Sequence, residues 1–212
     1  MKVYVQQYCA LGRQYLLIKS IYMMAENAAH NRRSIDEKQT TGGARMIGII
    51  DYDAGNIKSV EKALHYLGEE TVVSRDPQVL LNADKVILPG VGSFGDAMNN
   101  LNKFGLVPVI RELTEKGTPF LGICLGLQLL FESSDETPGV EGLGILKGKI
   151  VKIPPAPGLK IPHMGWNSLH LQNDGRLFKG IPEETYVYFV HSYYLQAKEP
   201  EIVKATAQYG VT

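Results

Sequence analysis

Residues 118–133 read TPFLGICLGLQLLFES, and this stretch decides how the rest of the chain is read. It opens on an apolar run that ends at Cys124 and continues at once into apolar residues at helical spacing. A strand apolar on both faces, followed directly by a helix, is the repeating unit of a parallel α/β sheet. The glycines need another explanation, because a buried strand does not require them and a helix is weakened by them. Gly122 and Gly126 stand two residues either side of Cys124, in the pattern G-x-C-x-G. That is the cysteine form of a nucleophile elbow, a sharp strand-to-helix turn that projects a reactive side chain and lets neighbouring backbone come close. Sites in open α/β sheets form beyond the carboxyl ends of the strands, where Cys124 is expected. The start of a helix carries partial positive charge, which favours thiolate over thiol. The N–H of Leu125 would there be available to an oxyanion. Cys9, the only other cysteine, has no such context and reads as packing material.

Working outward, the same alternation recurs. MIGIID (46–51), ETVVS (70–74) and KVILPG (85–90) read as strands. Between them, NIKSVEKALHYLG (56–68) has helical spacing closed by Gly68, and Asp76 before Pro77 is a good helix start. Residues 94–116 read as one or two helices interrupted near Gly105 and Pro108, and LGLQLLFES reads as a helix after Cys124. The expected fold is α/β: a doubly wound, mostly parallel sheet flanked by helices. From about residue 148 the chain turns strand-rich, with GKIVKI, NSLHL, YVYFV, SYYLQA and IVKATAQY read as extra, partly antiparallel strands.

Of 212 residues, 44% are hydrophobic and 21% charged, values ordinary for a globular protein with a sizeable core. The 22 basic and 22 acidic residues cancel, which argues against nucleic-acid and membrane partners. Two cysteines argue against a disulfide framework and point to a reducing, cytoplasmic setting. Residues 1–45 differ from the rest, carrying seven Lys/Arg against three Asp/Glu. They read as an N-terminal extension, with one helix in RQYLLIKSIYMMAENAAH (13–30) and a polar linker ending at Gly42 and Gly43, before a domain spanning 46–212.

A second turn, PGVGSF (89–94), ends the third strand of that domain, and a glycine-rich turn can aim backbone N–H groups at a negative charge. Together, IIDYDAGNIKSV, PGVGSF, GICLGLQLLFESSDE, PHMGWNSL and YFVHSYY resemble the glutaminase subunit of imidazole glycerol phosphate synthase, a class I triad-type glutamine amidotransferase. The resemblance runs in consistent order from residue 46 to 212. It implies that Cys124 attacks the side-chain amide of L-glutamine and that backbone N–H groups of Leu125 and of the Val91–Gly92 turn hold the oxyanion. It further implies glutamine contacts at Gly92, Gln128, Glu136, Ser192 and Tyr193. Ammonia would then pass to a (β/α)8-barrel cyclase subunit of histidine biosynthesis, faced by Asn56 and by His163, Met164 and Trp166 of PHMGWN. No cofactor is implied, and the histidines show no metal-ligand spacing.

A thiolate nucleophile of this type works with a base oriented by a third group. The family supplies both from an H-x-E motif downstream of the segment matching 193–209. None of the five histidines here, His30, His65, His163, His170 and His191, is followed two residues later by Glu or Asp. The expectation is therefore a domain incomplete at its C-terminus, lacking its last strand and helix and exposing a sheet edge. Its alternative function is that of a catalytically inactive, glutaminase-like binding protein. A different α/β hydrolase with a cysteine elbow would not account for PHMGWN and FVHSYY.

Overall fold

The computed structural model describes residues 3–6, 46–172 and 176–210. Its centre is a five-stranded parallel sheet built from β1 (Val3–Gln6), β2 (Met46–Ile50), β3 (Glu70–Ser74), β4 (Lys85–Leu88) and β5 (Phe120–Ile123), in the order β1-β5-β4-β2-β3. Side chains on a strand alternate between faces, and here both faces are apolar. Ile50, Val86, Leu88 and Phe120 look into one hydrophobic cluster, while Ile47, Ile49, Ile87, Leu121 and Ile123 look into the other.

Each face is covered as a doubly wound sheet requires. One carries α2 (Pro77–Leu81), α3 (Phe94–Lys103) and α4 (Leu106–Glu115), whose Leu80, Leu101, Leu106, Ile110 and Leu113 are fully buried. The other carries α1 (Ile57–Tyr66) through Val60 and Leu64. Local chemistry sets the boundaries. The Asp76 side chain accepts from the Gln78 N–H at 2.8 Å with Pro77 next to it, and the Ser93 side chain caps α3. Gly105 adopts φ 66° between α3 and α4, a conformation that breaks the helix and suits glycine. Pro108 sits within the first turn of α4, where no intrahelical N–H bond is lost.

Two expectations are corrected here. The helix read for LGLQLLFES is a single turn, α5 (Leu125–Gln128), because Phe131 is drawn into the core and the chain extends into β6 (Ser133–Ser134). The extension, read as a helix and a linker, contributes a strand: β1 pairs in parallel with β5 from Val3↔Phe120 to Gln6↔Ile123 and joins the central sheet. The helix expected at 13–30, the linker and Cys9 lie outside the described residues.

The strand-rich second half forms smaller antiparallel units. β11 (Tyr193–Ala197) pairs with β7 (Gly148–Lys152), which pairs in parallel with β6. β10 (Tyr186–His191) pairs with β8 (His163–Ser168), and β12 (Ala205–Thr206) with β9 (His170–Leu171). PHMGWN is thus mostly strand, whereas IVKATAQY contributes only the short β12 after a 3-10 turn at Pro200–Ile202. Val187 and Phe189 of β10 complete the cluster beneath α1.

Candidate active site

Cys124 stands where β5 becomes α5, with φ 54° and ψ −114°. An L-residue pays for positive φ, and such strain persists where the surroundings over-determine it. Here the surroundings are backbone. A Cβ on Gly122 would lie 2.7 Å from the Gly126 oxygen and the Leu127 α-carbon, and one on Gly126 would overlap the Leu88 carbonyl oxygen. Both glycines of G-x-C-x-G are therefore steric requirements of the turn. The Cys124 carbonyl accepts from Leu127 N–H at 3.0 Å and Gln128 N–H at 3.3 Å, starting α5. Leu125, as its first residue, has no helical acceptor for its N–H. Cys124 is half-buried.

The PGVGSF turn is pressed against this elbow. A Cβ on Gly90 would meet the Gly126 nitrogen at 2.5 Å and the Leu125 side chain at 2.9 Å. Beyond the contact the turn opens: Val91 is 45% exposed, and Gly92, at φ 101°, has open space where a side chain would be. The two turns picked from the sequence as halves of one site are thus in backbone contact.

Glu136 is held close by. Its Oε2 accepts from the Phe94 N–H at 2.7 Å, and Thr137 Oγ1 accepts from the Gly95 N–H at 3.2 Å, so the segment after β6 is tied to the start of α3. The Glu136 charge reaches Tyr193: burial first, then the carboxylates of Glu136 and Asp135, raise the Tyr193 phenol above its ordinary value. Ser192, next in the chain to Tyr193, accepts at its carbonyl from the Ile153 N–H at 2.9 Å. Gln128 is buried, where an isolated surface glutamine would not be.

Among the partner-facing expectations, Met164 and Trp166 are 61% and 47% exposed on one face of β8, beside Tyr186 and Tyr188 of β10. Trp166 packs edge-on against Tyr188 with ring centroids 5.6 Å apart. Asn56 is exposed at the start of α1. His163 departs from the expectation. Strand alternation turns it inward, where its ring stacks on Phe189 at 4.5 Å and on Tyr209 at 3.6 Å. Burial, then the neighbouring His191, lowers its pKa to about 4, so it is neutral at physiological pH.

The other described histidines are engaged elsewhere. His65 Nε2 lies 2.9 Å from Thr71 Oγ1, and His170 faces Glu183 at 3.7 Å. His191 bonds through Nδ1 to the Tyr193 carbonyl at 2.7 Å, which closes the corner carrying Ser192. Among the described residues no group of three or more His, Cys, Asp or Glu side chains is placed to hold a metal ion. No helix among them is long and apolar enough to cross a membrane.

One participant escaped sequence reading. Tyr52, at the end of the first apolar run, is fully buried and its hydroxyl donates to the Pro89 carbonyl at 2.8 Å. The signal was present: a hydroxyl-bearing residue continuing a buried run needs a partner.

A family model for class-I glutamine amidotransferases matches residues 48–210. The chain belongs to this family. Within these amidotransferases it is 53% identical over 167 residues to the imidazole glycerol phosphate synthase subunit HisH of Moorella thermoacetica, covering 79% of each chain. It is 51% identical over 166 residues to the subunit of the same name from Desulfitobacterium hafniense, covering 78% of each. A crystal structure of a glutamine amidotransferase superposes with a TM-score of 0.56 at 20% identity, over 72% of this chain and 75% of the other, a likeness of fold.

Proposed function

We propose that this amidotransferase is the glutamine-handling subunit of an imidazole glycerol phosphate synthase. The observation that carries the reading is the contact between the PGVGSF turn and the Cys124 elbow, which sets a half-buried thiol beside backbone suited to an oxyanion. In this reading the Cys124 thiolate attacks the side-chain amide carbon of glutamine. The tetrahedral oxyanion is met by the Leu125 N–H and by an N–H of the Val91–Gly92 turn. Ammonia leaves, a glutamyl thioester stays on Cys124, and water releases glutamate. Glu136 suits the α-ammonium group of the substrate, with Gly92, Gln128, Ser192 and Tyr193 as further contacts.

The ammonia passes to a cyclase subunit, a (β/α)8 barrel, docked on the exposed face of Met164 and Trp166 and on Asn56. Apolar side chains clustered in the open on one strand suit an interface anchor. Residues 46–212 act as the amidotransferase domain in this proposal, with residues 1–45 as an extension. A second reading, glutamine binding without turnover, is not favoured by the family match and is separated from the first by the test below.

The test is glutamate release from glutamine by the full chain, with and without the cyclase, alongside mass-spectrometric labelling by the diazoketone analogue of glutamine. Labelling of Cys124 but not Cys9, with glutamate released, supports the first reading. Labelling without release supports the second. Failure of glutamine to protect Cys124 overturns both.

A further inference from the structure

We propose that Tyr52 is a positioning residue for the oxyanion turn: its hydroxyl, bonded to the Pro89 carbonyl, fixes the orientation of the Pro89–Gly90 peptide against the Cys124 elbow. The inference rests on the reading of Cys124 as the nucleophile toward glutamine, and its test separates the two.

Three observations meet at this point. The hydroxyl-to-carbonyl bond is short, at 2.8 Å, and both partners are buried, so water does not compete for either. The space around Gly90 is filled on two sides: a Cβ there would lie 2.9 Å from the Tyr52 hydroxyl and 2.5 Å from the Gly126 nitrogen. Gly90 is thus a wedge with the phenol on one flank and the elbow on the other. The next peptide along, Gly90–Val91, opens toward the site, where Gly92 takes φ 101° and has no neighbour within side-chain reach.

A glycine-rich turn has many backbone orientations of similar energy, because glycine occupies both signs of φ with ease. Something outside the turn must select one. A peptide plane is rigid, so pinning its carbonyl oxygen also pins its N–H and limits the rotation of the following plane. An oxyanion donor works only when pre-aimed, which makes such a pin consequential for the chemical step. The donor is durable: burial, with the Cys124 charge adding to it, raises the Tyr52 phenol above its ordinary value, so it keeps its proton. Tyr52 touches neither substrate nor the reacting atoms in this account and acts through Pro89.

The experiment compares three full-length variants: Tyr52→Phe, and replacement of Tyr52 by para-methylphenylalanine and by para-aminophenylalanine. The last two match the size of tyrosine, and only the amino form donates a hydrogen bond. If Tyr52→Phe does not fold, this size-matched pair carries the comparison. Each is scored for the rate and saturation of Cys124 labelling by the diazoketone analogue of glutamine, and for its alkylation rate with iodoacetamide, which needs no oxyanion site.

The methyl form and Tyr52→Phe are expected to lose at least about tenfold in maximal diazoketone rate, with half-saturation and iodoacetamide rate unchanged. The amino form recovers most of the loss. Equal rates for the methyl and amino forms overturn the proposal, as does a parallel fall in the iodoacetamide rate. An independent arm follows the backbone amides of Gly90, Val91 and Gly92 by NMR. They shift and broaden in the methyl form and in Tyr52→Phe but not in the amino form, while Gly68 and Gly117 stay unchanged; unmoved signals also overturn the proposal. If the unmodified chain resists the diazoketone, the glutamine reading fails and the NMR arm alone decides the role of Tyr52.

Discussion

A side chain on Gly126 would overlap the carbonyl oxygen of Leu88, leaving no room for even a methyl group between the nucleophile turn and the neighbouring strand. Neither partner can retreat, because Leu88 belongs to a fully buried β4 and Gly126 to the buried helical turn that follows β5, the strand paired with β4. Gly126→Ala is therefore expected to cost at least about 3 kcal/mol and to lower the urea midpoint sharply. Gly117 gives the contrast. It has φ 76° with open space around it, so Gly117→Ala meets only the left-handed backbone penalty of about 1 kcal/mol. Urea unfolding of the pair reads the difference.

Arg75 ties the end of β2 to the turn that follows it. Its guanidinium reaches Asp51 at 2.7 Å and Asp53 at 2.5 Å and lies over the Phe104 ring at 4.2 Å. Asp53 adopts φ 58°, a left-handed backbone conformation that favours glycine. Asp53→Gly relieves the backbone while losing an exposed ion pair, and the two effects nearly cancel. Asp53→Ala keeps the strain and loses the pair, for a net cost of about 1 kcal/mol. Arg75→Met lowers the melting temperature at low salt, and the difference narrows as salt screens the wild-type pairs.

Acid should weaken the fold at His163. Its folded pKa of about 4 lies below the ordinary 6.5, so the unfolded chain takes up a proton that the folded chain refuses. Stability from this group is complete above pH 6.5, declines as pH falls toward 4, and changes no further below that. His191, the titratable group facing it, shifts in the same direction through burial and adds to the slope. Phe189 and Tyr209 stack on the ring, and Phe is close to imidazole in shape. His163→Phe is expected to flatten the dependence of the urea midpoint on pH across that window. An unchanged slope would count against the assignment.

At the exposed face of β8, stability and association should separate. Met164 is mostly in solvent and Trp166 is about half exposed beside Tyr188, so Met164→Ala leaves the melting temperature nearly unchanged and Trp166→Ala lowers it only modestly. If the cyclase docks there, Trp166→Ala weakens its binding at least about tenfold, measurable by titration calorimetry. Equal affinity for both variants and the unmodified chain moves the interface elsewhere.

The parallel sheet was legible because its strands are apolar on both faces and its helices carry their own start and stop signals, such as Asp76–Pro77 and Gly105. The elbow was legible because glycine at residues 122 and 126 has no purpose in a plain strand or helix. What escaped depends on tertiary contact. The helix after Cys124 stops after one turn because Phe131 is drawn into the core, and apolar spacing alone does not distinguish that from a longer helix. His163 reads as a surface residue within PHMGWN, but the register of β8 with β10 turns it inward onto Phe189. Tyr52 reads as the end of a strand, and only the folded chain brings Pro89 to its hydroxyl.

The pairing of β1 with β5 has a consequence for the order in which the molecule is made. Val5 is synthesised before Gly122, its partner in the ladder, which follows only after β2, β3 and β4. A strand cannot form its ladder before its neighbour exists, and long-range parallel pairings are among the slowest contacts to close. The first of the described strands thus cannot join the sheet before β5 does, and the nucleophile-bearing strand gains its second neighbour only by a contact that spans the chain between them.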